Sequence, residues 1–144
     1  MRCVFVPVKW APVLCESDLS HLEEKLEHAQ TQLTKGYFEN AIEAFSECLL
    51  FASGDARPYE GRALANFQIK NWQAAISDFS KAKELNPDEL ENWVGLGMSL
   101  AMVNQIYEAI GVFEELLIKH PNFVRAHIQL GSLYYRLGII KKGH

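Results

Sequence analysis

The chain has 144 residues, 49% hydrophobic and 22% charged, a balance that lets one ordinary domain bury a core without disulfides or metals. Its formal net charge of −4 speaks against nucleic acid or an anionic membrane as the main partner, since both call for a basic face. No stretch approaches the ~18–20 uninterrupted apolar residues that a membrane span needs.

Positions 1–20 read as a poorly ordered leader, and 21–144 as the folded domain. Val4-Phe5-Val6 follows Arg2 as a signal peptide's apolar run would, but Pro7, Lys9 and Pro12 break it and no small-x-small cleavage site follows. The three cysteines, Cys3, Cys15 and Cys48, make neither a disulfide framework nor a metal-ligand spacing, so a reducing, cytoplasmic setting is expected. Ser20-His21-Leu22-Glu23 has the form of a capping box opening the first helix. Lys35-Gly36, Lys70-Asn71, Asn104-Gln105 and Leu137-Gly138 then mark tight turns between antiparallel helices, because Gly and Asn tolerate the left-handed conformation that ends a helix. Asn86-Pro87-Asp88-Glu89 reads as a helix start with Asn as cap, and His120-Pro121-Asn122 punctuates the chain in the same way.

A fixed period, i to i+34, runs through this punctuation. Trp93, Leu96-Gly97, Leu100, Ala109, Phe113 and Pro121 slide back onto Tyr59, Arg62-Ala63, Asn66, Ala75, Phe79 and Pro87. A further step back gives Lys25, His28-Ala29, Gln32, Ala41, Phe45 and Ser53, and a step forward gives His127, Leu130-Gly131 and Tyr134. Trp93, Leu96, Gly97 and Leu100 fall at i, i+3, i+4, i+7, one face of a helix, and Ala109, Phe113 and Leu116 mark a second. The recurring small residues Ala29, Ala63, Gly97 and Gly131 predict close helix crossings, with Phe45, Phe79 and Phe113 filling the neighbouring space. Cys48 sits at a small-residue place in its helix and is expected to be a buried, inert thiol.

This pattern closely resembles the tetratricopeptide repeat, from Leu22 to about Ile140, with units starting near 22, 56, 90 and 124. The third unit matches best, with Leu100 in place of the usual aromatic; the first is poorest, with Lys25, His28 and Gln32 where large apolar residues are usual. A terminal unit has one flank in water, which accommodates that departure. The resemblance implies an all-α, right-handed α-solenoid of antiparallel hairpins: three full units and the first helix of a fourth.

In such arrays the first helices line a concave face that takes a peptide or helix. A second stripe on those helices carries it here: Leu64, Phe67, Val94, Met98, Met102, Ile128 and Tyr135, with Arg57 and Arg125 at the edge to favour acidic flanks. Helices apolar over two stripes bury more than one neighbour, so these residues either pack within the solenoid or form an apolar groove; we take the groove. A chaperone-carboxylate clamp is not expected. The family's clamp of Lys, Asn and Arg would fall on Leu26, Gln30, Gly61, Glu91 and Gly95, or one unit later on Glu60, Leu64, Gly95, Arg125 and Gln129.

No catalytic, cofactor or metal residues are expected. The pairs His21/His28 and His120/His127 lack a third ligand, and no phosphate loop or nucleophile elbow occurs. The expected function is a protein–protein interaction module or scaffold; the alternative is the regulatory or targeting N-terminal part of a larger enzyme. RNA binding is a distant third, since Arg57, Arg62, Arg125 and Arg136 are too few for a basic track. On the last helix Leu133, Leu137, Ile139 and Ile140 are expected to lack partners, which predicts self-association through the C-terminal edge or further repeats.

Overall fold

The computed structural model describes the backbone of residues 3–4 and 14–141 and the side chains of residues 20–138. A short antiparallel pair, β1 (Cys3–Val4) and β2 (Leu14–Cys15), sets Cys3 opposite Cys15. The rest is helical: α1 (Glu16–Lys35), α2 (Phe38–Phe51), α3 (Ala56–Gln68), α4 (Trp72–Leu85), α5 (Leu90–Met102), α6 (Ile106–Lys119) and α7 (Val124–Lys141). Each helix packs on the next, and α1, α3, α5 and α7 also touch one another in succession. That second set of contacts bends the stack so that the odd-numbered helices line its inner, concave side. The α-solenoid of three hairpins plus a seventh helix is thus realised.

Three of the four expected turns form. Gly36 (φ +86°), Lys70 (φ +65°) and Asn104 (φ +65°) take the left-handed conformation that stops α1, α3 and α5. Lys70 does so with a side chain, at a cost of roughly 1–2 kcal/mol that a glycine would avoid. The expected turn at Leu137-Gly138 does not form: α7 runs through it to Lys141. In the first three units the helix after the turn packs back on its predecessor; among the described residues no helix does so after Gly138, and one interior glycine costs only ~1 kcal/mol.

Several helix starts also differ from expectation. The helix α1 begins at Glu16, so Ser20 lies within it rather than capping it, and Glu16 to Ser20 belong to the helix rather than to a leader. The remaining leader residues, 1–2 and 5–13, lie outside the described residues. Asn86 is the C-cap of α4, not the N-cap of α5; that cap is Glu89, whose carboxylate accepts from the Glu91 backbone N–H at 3.4 Å. His120 is likewise the C-cap of α6. Asp55 caps α3, accepting from Arg57 N–H at 3.0 Å.

One core cluster runs through units two to four, and a second joins unit one to Ala65 of α3. Trp93 is at the centre of the first cluster, with its indole N–H donating to the Pro87 carbonyl at 2.9 Å. The Lys83 and Lys119 ammonium groups lie 4.3 and 4.9 Å from the Trp93 ring centroid, so helices α4 and α6 both close over it. Ala29, Ala63 and Gly97 are buried, as their small size predicts. Gly131 is not. It is exposed, and a Cβ built there would meet nothing within 4 Å, because no described helix covers that face of α7. Leu133, expected to lack partners, is 3% exposed in the core, while Ile139 and Ile140 lie outside the described side chains.

The phenylalanines fit into glycine sites that repeat in register. A Cβ at Gly61 would lie 2.1 Å from the Phe45 ring, and one at Gly95 would lie 2.4 Å from the Phe79 ring. Each ring reaches forward onto the first helix of the next unit. The equivalent place beyond Phe113 holds Gln129, which offers no such space, and Phe113 turns back onto Gly97 instead. Glycine is placed where the ring goes.

Candidate functional site: the concave face

The odd-numbered helices α1, α3, α5 and α7 adjoin one another, and of the expected groove residues Leu64 on α3, Met102 on α5, and Ile128 and Tyr135 on α7 are exposed. A shallow cavity of about 400 Å³ opens between α1 and α3, with Leu26, Leu64 and the edge of Phe45 as its apolar lining. Glu23, Glu27, Gln30, Arg57, Glu60 and Gly61 complete the wall. Not all of the sequence-expected groove residues reach this surface. Val94 is 1% exposed and belongs to the core cluster. Phe67 and Met98 are half-buried against the same core, and the Phe67 ring stands edge-on to Trp72 with centroids 5.0 Å apart. Leu64, Met102, Ile128 and Tyr135 remain open.

The two arginines are exposed but occupied. The Arg57 guanidinium donates to both Glu23 oxygens at 3.1 and 3.0 Å, and to both Asp55 oxygens. Arg125 pairs with Glu91 in the same way, across one repeat period. The same place in four successive units therefore alternates Glu23, Arg57, Glu91, Arg125, and the charges cancel pairwise along the rim. The hydrogen bonds that Arg57 donates to Asp55 and Glu23 push its pKa up. Burial of Asp55 opposes ionisation, yet the side-chain and backbone N–H groups of Arg57 outweigh it and hold the carboxyl below its ordinary value. Neither arginine is free to attract an acidic flank, which corrects that expectation.

A buried polar network stands behind the groove. Arg62 donates to Asp78 through Nε and a terminal nitrogen at 2.9 and 2.8 Å, and to Ser46 Oγ at 3.0 Å. Asn66 Nδ2 donates to Asp78 at 3.2 Å, so Asn66 occupies a core place as part of a satisfied polar cluster. The pairing raises the Arg62 pKa, chiefly through the hydrogen bonds with Asp78. Sequence reading passed over this cluster and the glycines Gly61 and Gly95 as ring sites. The signals were present: Asn66 and Arg62 break an otherwise apolar stripe, and Gly61 and Gly95 recur at one place in successive units. Nearer the floor, Asn92 Nδ2 donates to Glu60 Oε1 at 3.2 Å, tying α5 to α3.

The tetratricopeptide-repeat family model matches residues 26–54, which is the first hairpin. That hairpin was the poorest match by motif, and its geometry repeats through the two that follow. Residues 26–54 are a tetratricopeptide repeat, and the seven helices form a tetratricopeptide-type α-solenoid. The chain is 32% identical over 91 residues to a peroxisomal targeting signal receptor of Candida albicans, matching 63% of this chain and 15% of that one. It is 31% identical over 81 residues to the TPR repeat-containing thioredoxin TDX of Arabidopsis thaliana, 56% of this chain and 21% of that protein. The tetratricopeptide chain thus spans only a small part of the curated relatives it matches. Among solved structures, that of the MamA protein superposes with a TM-score of 0.77 at 26% identity, over 88% of this chain and 69% of that one. The first TPR of Spaghetti (RPAP3), bound to the HSP90 peptide SRMEEVD, shares the fold with a TM-score of 0.75 at 21% identity, over 81% of this chain and 93% of that one. These likenesses show the tetratricopeptide-type fold. Among the described residues no helix is long and apolar enough to cross a membrane.

Proposed function

We propose that the concave face holds a helix or an extended peptide of a partner protein, along a line from Leu64 through Met102 to Ile128 and Tyr135. The observation that carries this reading is the exposure of four large apolar side chains on successive odd helices, from 45% at Leu64 to 72% at Tyr135. Exposed apolar area of that kind on one face marks a binding surface rather than a core. The relatives support a recognition role: one is a receptor for a targeting signal, and a domain of the same fold has a peptide bound.

The ligand differs from a chaperone C-terminus. Gly61 stands where the clamp's asparagine would be, and the Phe45 ring fills the space a side chain there would need. Leu26 and Gln30 on α1 offer no cation, and Arg125 is already paired. The chain acts without catalysis, and the net charge of −4 speaks against nucleic acid as a ligand. A second reading rests on the thioredoxin relative, whose name joins such repeats to an enzyme: the array is then the targeting part of a larger protein. The full open reading frame decides between the two.

The test is selection of peptides from a displayed random library against the chain, then measurement of their affinity for Leu64→Glu/Met102→Glu. Both side chains are exposed, so circular dichroism of the double variant stays that of the wild type. Its affinity falls about tenfold or more if the groove is the site. Undiminished binding by a folded double variant refutes the assignment.

A further inference from the structure

The cleft of about 400 Å³ between α1 and α3 has an apolar floor under walls that carry an excess of one charge. Leu26, Leu64 and the edge of the Phe45 ring make the floor, and Gly61 has no side chain to cover the ring. Leu64 is 45% exposed, so solvent reaches the floor. Glu23 and Glu27 stand on the α1 side, Arg57 and Glu60 on the α3 side.

These charges do not balance. Arg57 is the one cation of the lining, and its guanidinium is fully engaged, donating to both oxygens of Glu23 and both of Asp55. Two carboxylates therefore share one guanidinium. Glu60 accepts from a neutral donor, Asn92 Nδ2, on Oε1, which leaves its charge uncompensated. Among the described residues Glu27 has no ion-pair partner. Lys25, close by on α1, turns away to Glu47 of α2 at 3.2 Å.

The two parts of the cleft ask for different chemistry from one side chain. The floor favours methylene groups, and Glu27 and Glu60 favour a cation. Lysine and arginine supply both, because their long stems cover apolar surface while the charged head stays at its polar edge. A cation seated there bonds to carboxylates beside apolar walls, where the attraction is stronger than in open water. An acidic side chain in the same place would meet like charge.

Given the groove reading above, on which this rests, we propose that the α1–α3 cleft selects the partner segment by a basic residue. The stem of that arginine or lysine lies over Leu26 and Leu64, and its head meets Glu27 and Glu60. The segment is then basic at this end and apolar along Met102, Ile128 and Tyr135, opposite in sign to the acidic flank that the sequence suggests.

The probes are peptides selected from a displayed random library against the full chain. Arginine or lysine beside an apolar residue is expected to be enriched among them, and aspartate and glutamate depleted. One selected peptide, labelled with fluorescein, is titrated by anisotropy against the wild type, Glu27→Gln/Glu60→Gln and Leu64→Glu/Met102→Glu. Glutamine at 60 keeps an oxygen for Asn92 and Glu27 is exposed, so Glu27→Gln/Glu60→Gln is expected to melt with the wild type. Its affinity is expected to fall about tenfold or more, and wild-type affinity to fall as salt rises. With the peptide's basic residue changed to glutamine, the wild type and Glu27→Gln/Glu60→Gln are expected to bind alike, an outcome that a structural effect of the variant would not give. Binding that Leu64→Glu/Met102→Glu abolishes and Glu27→Gln/Glu60→Gln leaves unchanged overturns the basic-residue cleft while the groove stands, as does a selection without basic residues. Binding indifferent to both variants, or no selected peptide at all, overturns both.

Discussion

Replacing Gly97 with leucine tests the repeat register at its tightest point. The first added carbon would lie 2.5 Å from two atoms of the Phe113 ring, where carbon atoms rest at about 3.5–4.0 Å. The ring must retreat by about 1 Å or more, and Phe113 has 0% exposure and no open side to move into. Overpacking of this kind costs ~1–3 kcal/mol, and a leucine with three further carbons belongs in the upper part of that range. Helix propensity returns ~0.8 kcal/mol, leaving a net loss of about 1–2 kcal/mol. For a chain of this size that lowers the melting temperature by roughly 3–8 °C. Gly111→Leu is the matched control: Gly111 is exposed on α6 with nothing within 4 Å of a Cβ, so only the propensity gain remains and the melting temperature rises by roughly 2–4 °C. Differential scanning calorimetry of the two variants reads both signs. A Gly97→Leu chain that melts with or above Gly111→Leu refutes the close approach and the register built on it.

Lys70→Gly relieves a left-handed residue and is expected to stabilise by about 1 kcal/mol in urea unfolding; an unchanged midpoint contradicts the assigned turn. Arg62→Leu leaves buried Asp78 with only Asn66 and is expected to cost ~3–5 kcal/mol, much of it recovered in Arg62→Leu/Asp78→Leu. A small loss in the single variant denies that the pair is buried and charged. Asp55 has a folded-state pKa below its ordinary value, so its stabilisation is complete above about pH 4 and is lost as pH falls through the folded value. Asp55→Asn is therefore expected to flatten the acid limb of a stability–pH profile and leave its shape above pH ~5 alone. Burial, aided by Glu47 and Asp55, raises the Cys48 thiol, so iodoacetamide at neutral pH should label it only after denaturation; labelling of the folded chain, mapped by mass spectrometry, contradicts that burial.

Most of the architecture was legible because the repeat fixes it redundantly. The Ala41, Ala75 and Ala109 series and the Phe45, Phe79 and Phe113 series sit where the repeat period requires, and all six are buried. Helix ends were less legible, for a local reason. Asn86 can cap a start or an end, and Glu89, with an ordinary side chain, takes the N-cap role that the nearby Asn-Pro pair suggests for itself. The Leu137-Gly138 turn needed a following helix to fold back, and composition alone does not show whether one is there.

The candidate site was read only in part. A stripe of Val94, Met98 and Met102 is apolar at every step, and periodicity does not say which member turns outward; packing in the folded chain puts Val94 in the core and leaves Met102 open. Arg57 and Arg125 looked like free cations because Glu23 and Glu91, which pair with them, lie a full repeat away on the preceding unit, although Arg57 is also held by nearby Asp55. The alternation Glu23, Arg57, Glu91, Arg125 at one repeat place was the signal for that pairing.

The central claim is that the inner face of the odd helices is where a partner binds. Amide and methyl NMR shifts of the isotope-labelled chain, recorded with a library-selected peptide, test it most directly. The perturbed methyls are expected to include Leu64, Met102 and Ile128, with Tyr135 amide shifts among the largest, while exposed Leu50 on α2 and Ile118 on α6 stay unchanged. Perturbations confined to Leu50, Ile118 and the even-numbered helices would contradict it.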